Sequence, residues 1–176
     1  MLNQAYKRGL ILGAASFKSN YGLDKKYSLK KRELIKVFNF CLKEKIVYID
    51  TSNDYRLTNF FNYNKSIKKF KIILKINFNF LEKKTLRQLK NEIFLLVHNF
   101  LSKNKIKKLH CVMLHSENTM ISKNKIKIYE VLKSLKKAKL TNKIGISSYD
   151  LKKTINIIKK FDFDILQFPY NLFDQR

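Results

Sequence analysis

The chain has 176 residues and a mass of 21.0 kDa, the size of one domain. Its 45% hydrophobic and 13% aromatic content can bury a core, which excludes wholesale disorder, and no run reaches the roughly 18 to 20 apolar residues of a membrane-spanning helix. A net charge of +25 admits a polyanion partner such as nucleic acid, but 33 Lys against 5 Arg, with 17 Asn and only 4 Gly, 4 Ala and 1 Pro, reads as AT-rich coding; phosphate and guanine recognition favours Arg.

At the N-terminus Lys7 and Arg8 precede the apolar run Gly9 to Phe17. A leader peptide has this outline, but the run is short and broken by glycine. Leu10-Ile11-Leu12 reads instead as a buried strand entering a glycine turn. Leu34, Val37, Phe38, Cys41 and Leu42 recur at helical spacing, with Ser28 placed to cap the helix. Ile46 to Asp50 follows as a buried strand. From Arg56 to Phe70 the aromatics and asparagines form no stripe, so this unit is read as a loop with a short helix. Lys71 to Ile76 is a strand. Leu86, Leu89, Ile93, Leu96, Val97 and Phe100 mark a second strong helix, and His110 to Leu114 a strand. Ile128, Val131, Leu132 and Leu135 mark a helix that can start at Ser122, and Lys143 to Ser147 is the next strand. Leu151, Ile155 and Ile158 form a helical stripe before a last strand, Asp164 to Gln167.

Strands alternating with helices in this way imply parallel pairing through right-handed crossovers. Neither GxGxxG nor GxxxxGK[ST] occurs. Polar and ionisable residues instead follow successive strands: Asp50 to Tyr55, His115 to Glu117, Ser147-Ser148 and Gln167 to Asn171. In a (β/α)8 barrel those strand ends carry the active site. A full barrel takes about 250 residues. The expectation is therefore an α/β chain of (β/α)8 TIM-barrel type, truncated to about six βα strands and not closed, with unpaired first and sixth strands.

Within that frame a few side chains stand out. Lys75 lies in an apolar strand, where burying an ammonium is costly without a partner. Alternation puts it on one face with Ile73, opposite Ile72, Leu74 and Ile76. If that face is the barrel interior, Lys75 needs an anion, and Asp50 on the neighbouring strand is within reach; otherwise it extends from an edge strand into solvent. His115 closes the run Val112-Met113-Leu114. His110 and His115 fall on opposite faces and are no metal pair. Cys41 and Cys111 lack CxxC spacing, fit neither a disulfide framework nor a zinc site, and suit a reducing cytoplasm. Asp50 and Asp54 share one loop and do not flank a substrate as glycosidase carboxylates do.

An Asp, a Tyr five residues later, a Lys in the next strand and a His ending the following one together resemble the tetrad of the aldo/keto reductases. The likeness runs along the chain: Leu12-Gly13-Ala14-Ala15-Ser16-Phe17 with Asn20-Tyr21-Gly22, Tyr48-Ile49-Asp50-Thr51-Ser52 with Tyr55, Ile73-Leu74-Lys75, Met113-Leu114-His115-Ser116, Lys143 to Tyr149, and Gln167 to Leu172. It implies one domain over residues 1–176, an NADP-dependent oxidoreductase domain lacking strands seven and eight, that reduces an aldehyde or ketone. Tyr55 would donate the proton, Lys75 would make that phenol a better acid, Asp50 would hold Lys75, and His115 would orient the carbonyl. Gly13, Asp50, Ser147, Ser148 and Gln167 would face the cofactor, NADP or NAD, with no metal. The partners implied are a small carbonyl substrate and a complementing C-terminal fragment, with no specific nucleic acid and no membrane, in the cytoplasm. Two departures stand out: Arg56 and Leu57-Thr58-Asn59 replace the usual Gly and Glu after the tyrosine, and Ser148 replaces the usual Asn. The competing readings are a basic nucleic-acid-binding module, which the spread of lysines over every helix disfavours, and an inactive reductase remnant.

Overall fold

A computed structural model describes residues 9–17, 29–55, 65–78 and 84–173. Lys7, Arg8, Asn20-Tyr21-Gly22, Ser28, Arg56 and Leu57-Thr58-Asn59 lie outside the described residues. Six strands form one parallel sheet in sequential order: β1 (Leu12–Gly13), β2 (Tyr48–Ser52), β3 (Lys71–Ile76), β4 (Leu109–Leu114), β5 (Thr141–Ser147) and β6 (Ile165–Gln167). The helices are α1 (Lys31–Lys43), α2 (Leu86–Lys103), α3 (Lys125–Lys137) and α4 (Leu151–Ile158), with short 3-10 turns at Ala15–Phe17, Asn53–Tyr55, Lys65–Lys69 and Glu117–Met120. No described helix is long and apolar enough to cross a membrane.

The sheet curls. Gln167 on β6 donates from Nε2 to Asp50 Oδ2 on β2 at 3.1 Å, although four inter-strand spacings in a flat sheet would separate them by about 19 Å. Among the described residues β1 and β6 do not pair with each other, so the chain forms an open half-barrel of the (β/α)8 type.

Two cores result. The outer one packs the convex sheet face (Ile49, Ile72, Leu74, Val112, Leu114, Ile144, Ile146) against the apolar sides of α1, α2 and α3. The inner one is small: Ile73, Cys111 and Met113, with Ile165 beside them. Gly145 belongs to the inner layer. A Cβ there would meet Ile165 O at 2.9 Å and Met113 Cε at 3.0 Å, so the concave face closes only over glycine.

Local chemistry sets the element ends. Thr85 and Gln88 form a reciprocal capping box at the start of α2 (Gln88 N to Thr85 Oγ1 3.3 Å, Thr85 N to Gln88 Oε1 3.0 Å). At α1 the extended residue before the helix is Lys30, whose amide donates to Glu33 Oε2 at 2.7 Å. α3 begins at Lys125 behind Asn124, three residues later than Ser122, whose hydroxyl accepts the Asn124 amide at 3.3 Å.

Helices α1, α2 and α3 end alike. Lys45, Lys105 and Lys139 adopt φ of 60°, 53° and 58°. The next residue's amide (Ile46, Ile106, Leu140) reaches back to Cys41, Leu101 and Leu135 carbonyls at 2.8, 3.1 and 3.1 Å. These are Schellman turns, with lysine where glycine is usual.

Three expectations need correction. Leu10 and Ile11 are exposed (42% and 50%), and β1 is only Leu12–Gly13, because among the described residues this edge has a neighbour on one side only. β2 starts two residues later than expected: the Ile46 amide is used to close α1, and Asp50 lies inside the strand. On α4, Leu151, Ile155 and Ile158 face outward at about 40% exposure each, while Thr154 and Ile157 are buried, since no described element covers the far side of this helix.

Candidate active site

At the C-terminal ends of the strands the concave face opens into a cavity of about 450 Å³, within the range of small-molecule sites. Its wall includes Gly13, Asp50, Tyr55, Lys75, His115, Ser147 and Gln167. The strands supply these residues by register: Gly13 lies beside Asp50, Ser52 beside Lys75 and Ser147 beside Gln167.

Lys75 is 8% exposed, and its Nζ donates to Asp50 Oδ2 at 2.9 Å. Burial by itself drives an ammonium toward losing its proton. Here the Asp50 hydrogen bond and charge, with a smaller contribution from Tyr55, outweigh burial, and the Lys75 pKa lies above the ordinary lysine value. The ammonium also lies 6.0 Å from the Tyr55 ring centroid. Tyr55 in turn meets His115 edge to face, with centroids 6.1 Å apart. The structure thus brings Asp50, Lys75, Tyr55 and His115 to one cavity.

Two buried acceptors in this wall are unused. Asp50 Oδ2 takes both Lys75 and Gln167, whereas Asp50 Oδ1 and Gln167 Oε1 have no hydrogen-bond partner among the described residues. Buried orphan acceptors are costly, and both residues line the concavity, where a ligand with donor groups would offset that cost. Ser147 lines the same wall.

Ser148 is not brought there. It is 1% exposed, and its hydroxyl is engaged at the start of α4, donating to Asp150 O at 3.1 Å, accepting the Asp150 amide at 3.1 Å and bonding Thr154. The shorter serine side chain satisfies the local helix start and leaves nothing to reach the cavity. Cys111, on the interior face, is fully buried, and its thiol pKa is pushed up to about 12 by burial foremost, with Asp164 adding to it, so it is no nucleophile.

Sequence reasoning missed what supports His115. Its Nδ1 lies 3.3 Å from Asp54 Oδ2 and 3.3 Å from Ser52 Oγ. The signal was present in Ser52-Asn53-Asp54-Tyr55, but only the 3-10 turn at Asn53–Tyr55 aims Asp54 at the next strand but one. Glu117 was also missed: it is 4% exposed and accepts the Tyr149 amide at 3.2 Å, tying the loop after β4 to the loop after β5. Among the described residues no His/Cys/Asp/Glu group could hold a metal ion.

No protein-family model matches the sequence, and no curated protein matches it. Solved structures do resemble it. A Pseudomonas aeruginosa protein titled an aldo-keto reductase superposes with a TM-score of 0.73 at 18% identity, covering 94% of this chain and 66% of its own. The holo form of an aldo-keto reductase from Bacillus halodurans gives 0.68 at 16%, covering 92% and 53%. One from Brucella melitensis gives 0.63 at 16%, covering 91% and 57%. The chain therefore has the aldo-keto reductase fold and spans about half to two-thirds of the length of these structures.

Proposed function

We propose that the chain carries the catalytic wall of a nicotinamide-dependent reductase that converts a small aldehyde or ketone to an alcohol. The observation that carries this reading is the buried Lys75 ammonium, fixed by Asp50 and set against the Tyr55 phenol in the cavity that His115 also lines. An unperturbed tyrosine, with a pKa near 10, gives up its proton reluctantly at neutral pH. A neighbouring ammonium stabilises the phenolate and makes Tyr55 a better donor. Asp50 keeps that ammonium charged and in place.

The unused acceptors suit the proposed cofactor. Asp50 Oδ1 and Gln167 Oε1 can accept from ribose hydroxyl and carboxamide N–H groups, with the Ser147 hydroxyl as a further partner and Gly13 leaving room at the wall. Bound there, the nicotinamide of NADP or NAD supplies the hydride. The chain's own residues hold it, orient the carbonyl and deliver the proton. The reading extends to a complementing polypeptide whose strands pair with the β1 and β6 edges and whose helix covers Leu151, Ile155 and Ile158, and to work in a reducing cytoplasm.

The test is hydride transfer from NADPH to small aldehydes by the full chain, followed at the nicotinamide absorbance, with and without polypeptide supplying the missing strands. Turnover that Tyr55→Phe removes supports the reading. Turnover unaffected by Tyr55→Phe, or none in either form, refutes it.

A further inference from the structure

His115 is held from one side. Asp54 Oδ2 and Ser52 Oγ both approach Nδ1 at 3.3 Å, whereas Nε2 makes no hydrogen bond among the described residues. The carboxylate is aimed by a turn tied down twice. The Asp54 amide donates to Ser52 Oγ at 3.2 Å, and Asn53 Oδ1 accepts the Asn77 amide just past β3 at 3.3 Å.

A carboxylate can only accept, so its contact with Nδ1 requires the imidazole proton to sit there. A neutral ring has a single N–H. With that proton on Nδ1, Nε2 presents a bare lone pair, which repels a carbonyl oxygen. Only the imidazolium, with N–H on both sides, can donate from Nε2.

We propose that Asp54 is a positioning residue that fixes the His115 proton on Nδ1, so that His115 holds a carbonyl oxygen through Nε2 only when the ring is protonated. The carbonyl part rests on the reductase reading; the tautomer part rests on geometry alone. The other titratable groups at this end are Tyr55 from the same turn, Asp50 from β2, Lys75 from β3, Glu117 from the loop after β4 and Tyr149 from the loop after β5. Lys75 is compensated by Asp50. Of these groups, only Asp54 contacts a ring nitrogen of His115.

Nitrogen-15 spectra of the full chain report the tautomer directly. The His115 signals are recognised among the three histidines (His98, His110, His115) by their loss in His115→Gln. The wild type is expected to show a protonated Nδ1 and a bare Nε2 in its neutral form. Asp54→Asn is expected to move the proton to Nε2, with the Ser52 hydroxyl donating to Nδ1, and Asp54→Glu to restore the wild-type pattern. A wild-type ring protonated at Nε2, or a tautomer unmoved by Asp54→Asn, overturns the proposal. In turnover, wild-type kcat/KM is expected to fall about tenfold per pH unit on the alkaline side of its profile, where no imidazolium remains to donate from Nε2. Asp54→Asn removes that fall, and a profile it leaves unchanged likewise overturns the proposal. Expected spectra without any turnover support the tautomer assignment and refute the reductase reading alone.

Discussion

The two rims of the half-barrel carry the same three residue types in similar arrangements. At the strand starts, Lys71 Nζ lies 5.1 Å from the Tyr48 ring centroid and donates to Tyr48 Oη at 3.4 Å, and Tyr48 meets His110 edge to face at 5.0 Å. At the strand ends, Lys75 lies 6.0 Å from the Tyr55 ring, and Tyr55 meets His115 edge to face at 6.1 Å. The differences lie in what surrounds each trio. Lys75 is buried on a carboxylate in a concavity, whereas Lys71 is exposed and its cluster gains a second cation, Lys143, near His110. Proximity of a tyrosine, a lysine and a histidine is therefore not a site. An anchored charge and a place for a ligand make one.

The widest expected separation between the rims is in turnover. Tyr55→Phe removes the proposed donor and should lower kcat for aldehyde reduction by about 10²- to 10⁴-fold. Tyr48→Phe, the same change at the other rim, should leave it within about twofold, since Tyr48 does not line the cavity at the strand ends. Equal losses in both variants would erase the distinction.

Stability separates them next. Lys75→Met strands Asp50 in the wall, and removing one partner of a buried pair costs about 3–5 kcal/mol. Lys71→Met should stay within about 0.5 kcal/mol, as surface changes do. Urea unfolding at neutral pH measures both. The Lys75 pKa is raised in the folded state, so its contribution is complete below the unfolded value of about 10.4 and is lost as pH rises through the higher folded value. Wild type should therefore lose its advantage over Lys75→Met in strong alkali. A constant difference across that range would show that the pair is not what holds Lys75.

Much of the architecture was legible because it is written in periodicity. The strand Lys71–Ile76 and the apolar faces of α2 and α3 follow from spacing alone, and the oddity of a lysine at position 75 led to Asp50. What was not legible depends on neighbours. The stripe Leu151, Ile155, Ile158 has the right period for a buried face, but period does not say whether another element covers it. Ser148 had the right place in the sequence, yet its hydroxyl is claimed by Thr154 and Asp150. The Asp54 contact with His115 crosses 61 residues and depends on one turn, which no pattern of spacing reports.

The strand-start rim also contains the three lysine Schellman turns, so it can be changed without touching the cavity. A non-glycine residue in the left-handed region costs about 1–2 kcal/mol, part of which glycine returns as backbone entropy. Lys45→Gly, Lys105→Gly and Lys139→Gly should each raise stability by about 0.5–1 kcal/mol, with unchanged turnover. Destabilisation by all three would mean that these lysine side chains contribute more than the backbone strain they cause.

The smallest expected effect is also at that rim and has the opposite pH sense to Lys75. The His110 pKa is lowered by burial first, then by Lys143 and Lys71. The folded chain therefore holds the His110 proton less tightly than the unfolded chain, whose imidazole titrates near 6.5. Its contribution is present above that pH and is lost as the pH falls below it, where the unfolded state binds more protons. Urea midpoints measured from about pH 7.5 downward should fall more steeply for wild type than for His110→Gln. Lys143→Met removes the larger of the two repelling charges and should shrink the loss without abolishing it, because burial remains, while its onset stays where the unfolded imidazole titrates. At the other rim, Asp54 faces His115 with the opposite sign of charge. If His110→Gln leaves the slope unchanged while His115→Gln alters it, the acid response belongs to the cavity rim and the contrast between the two histidines is reversed.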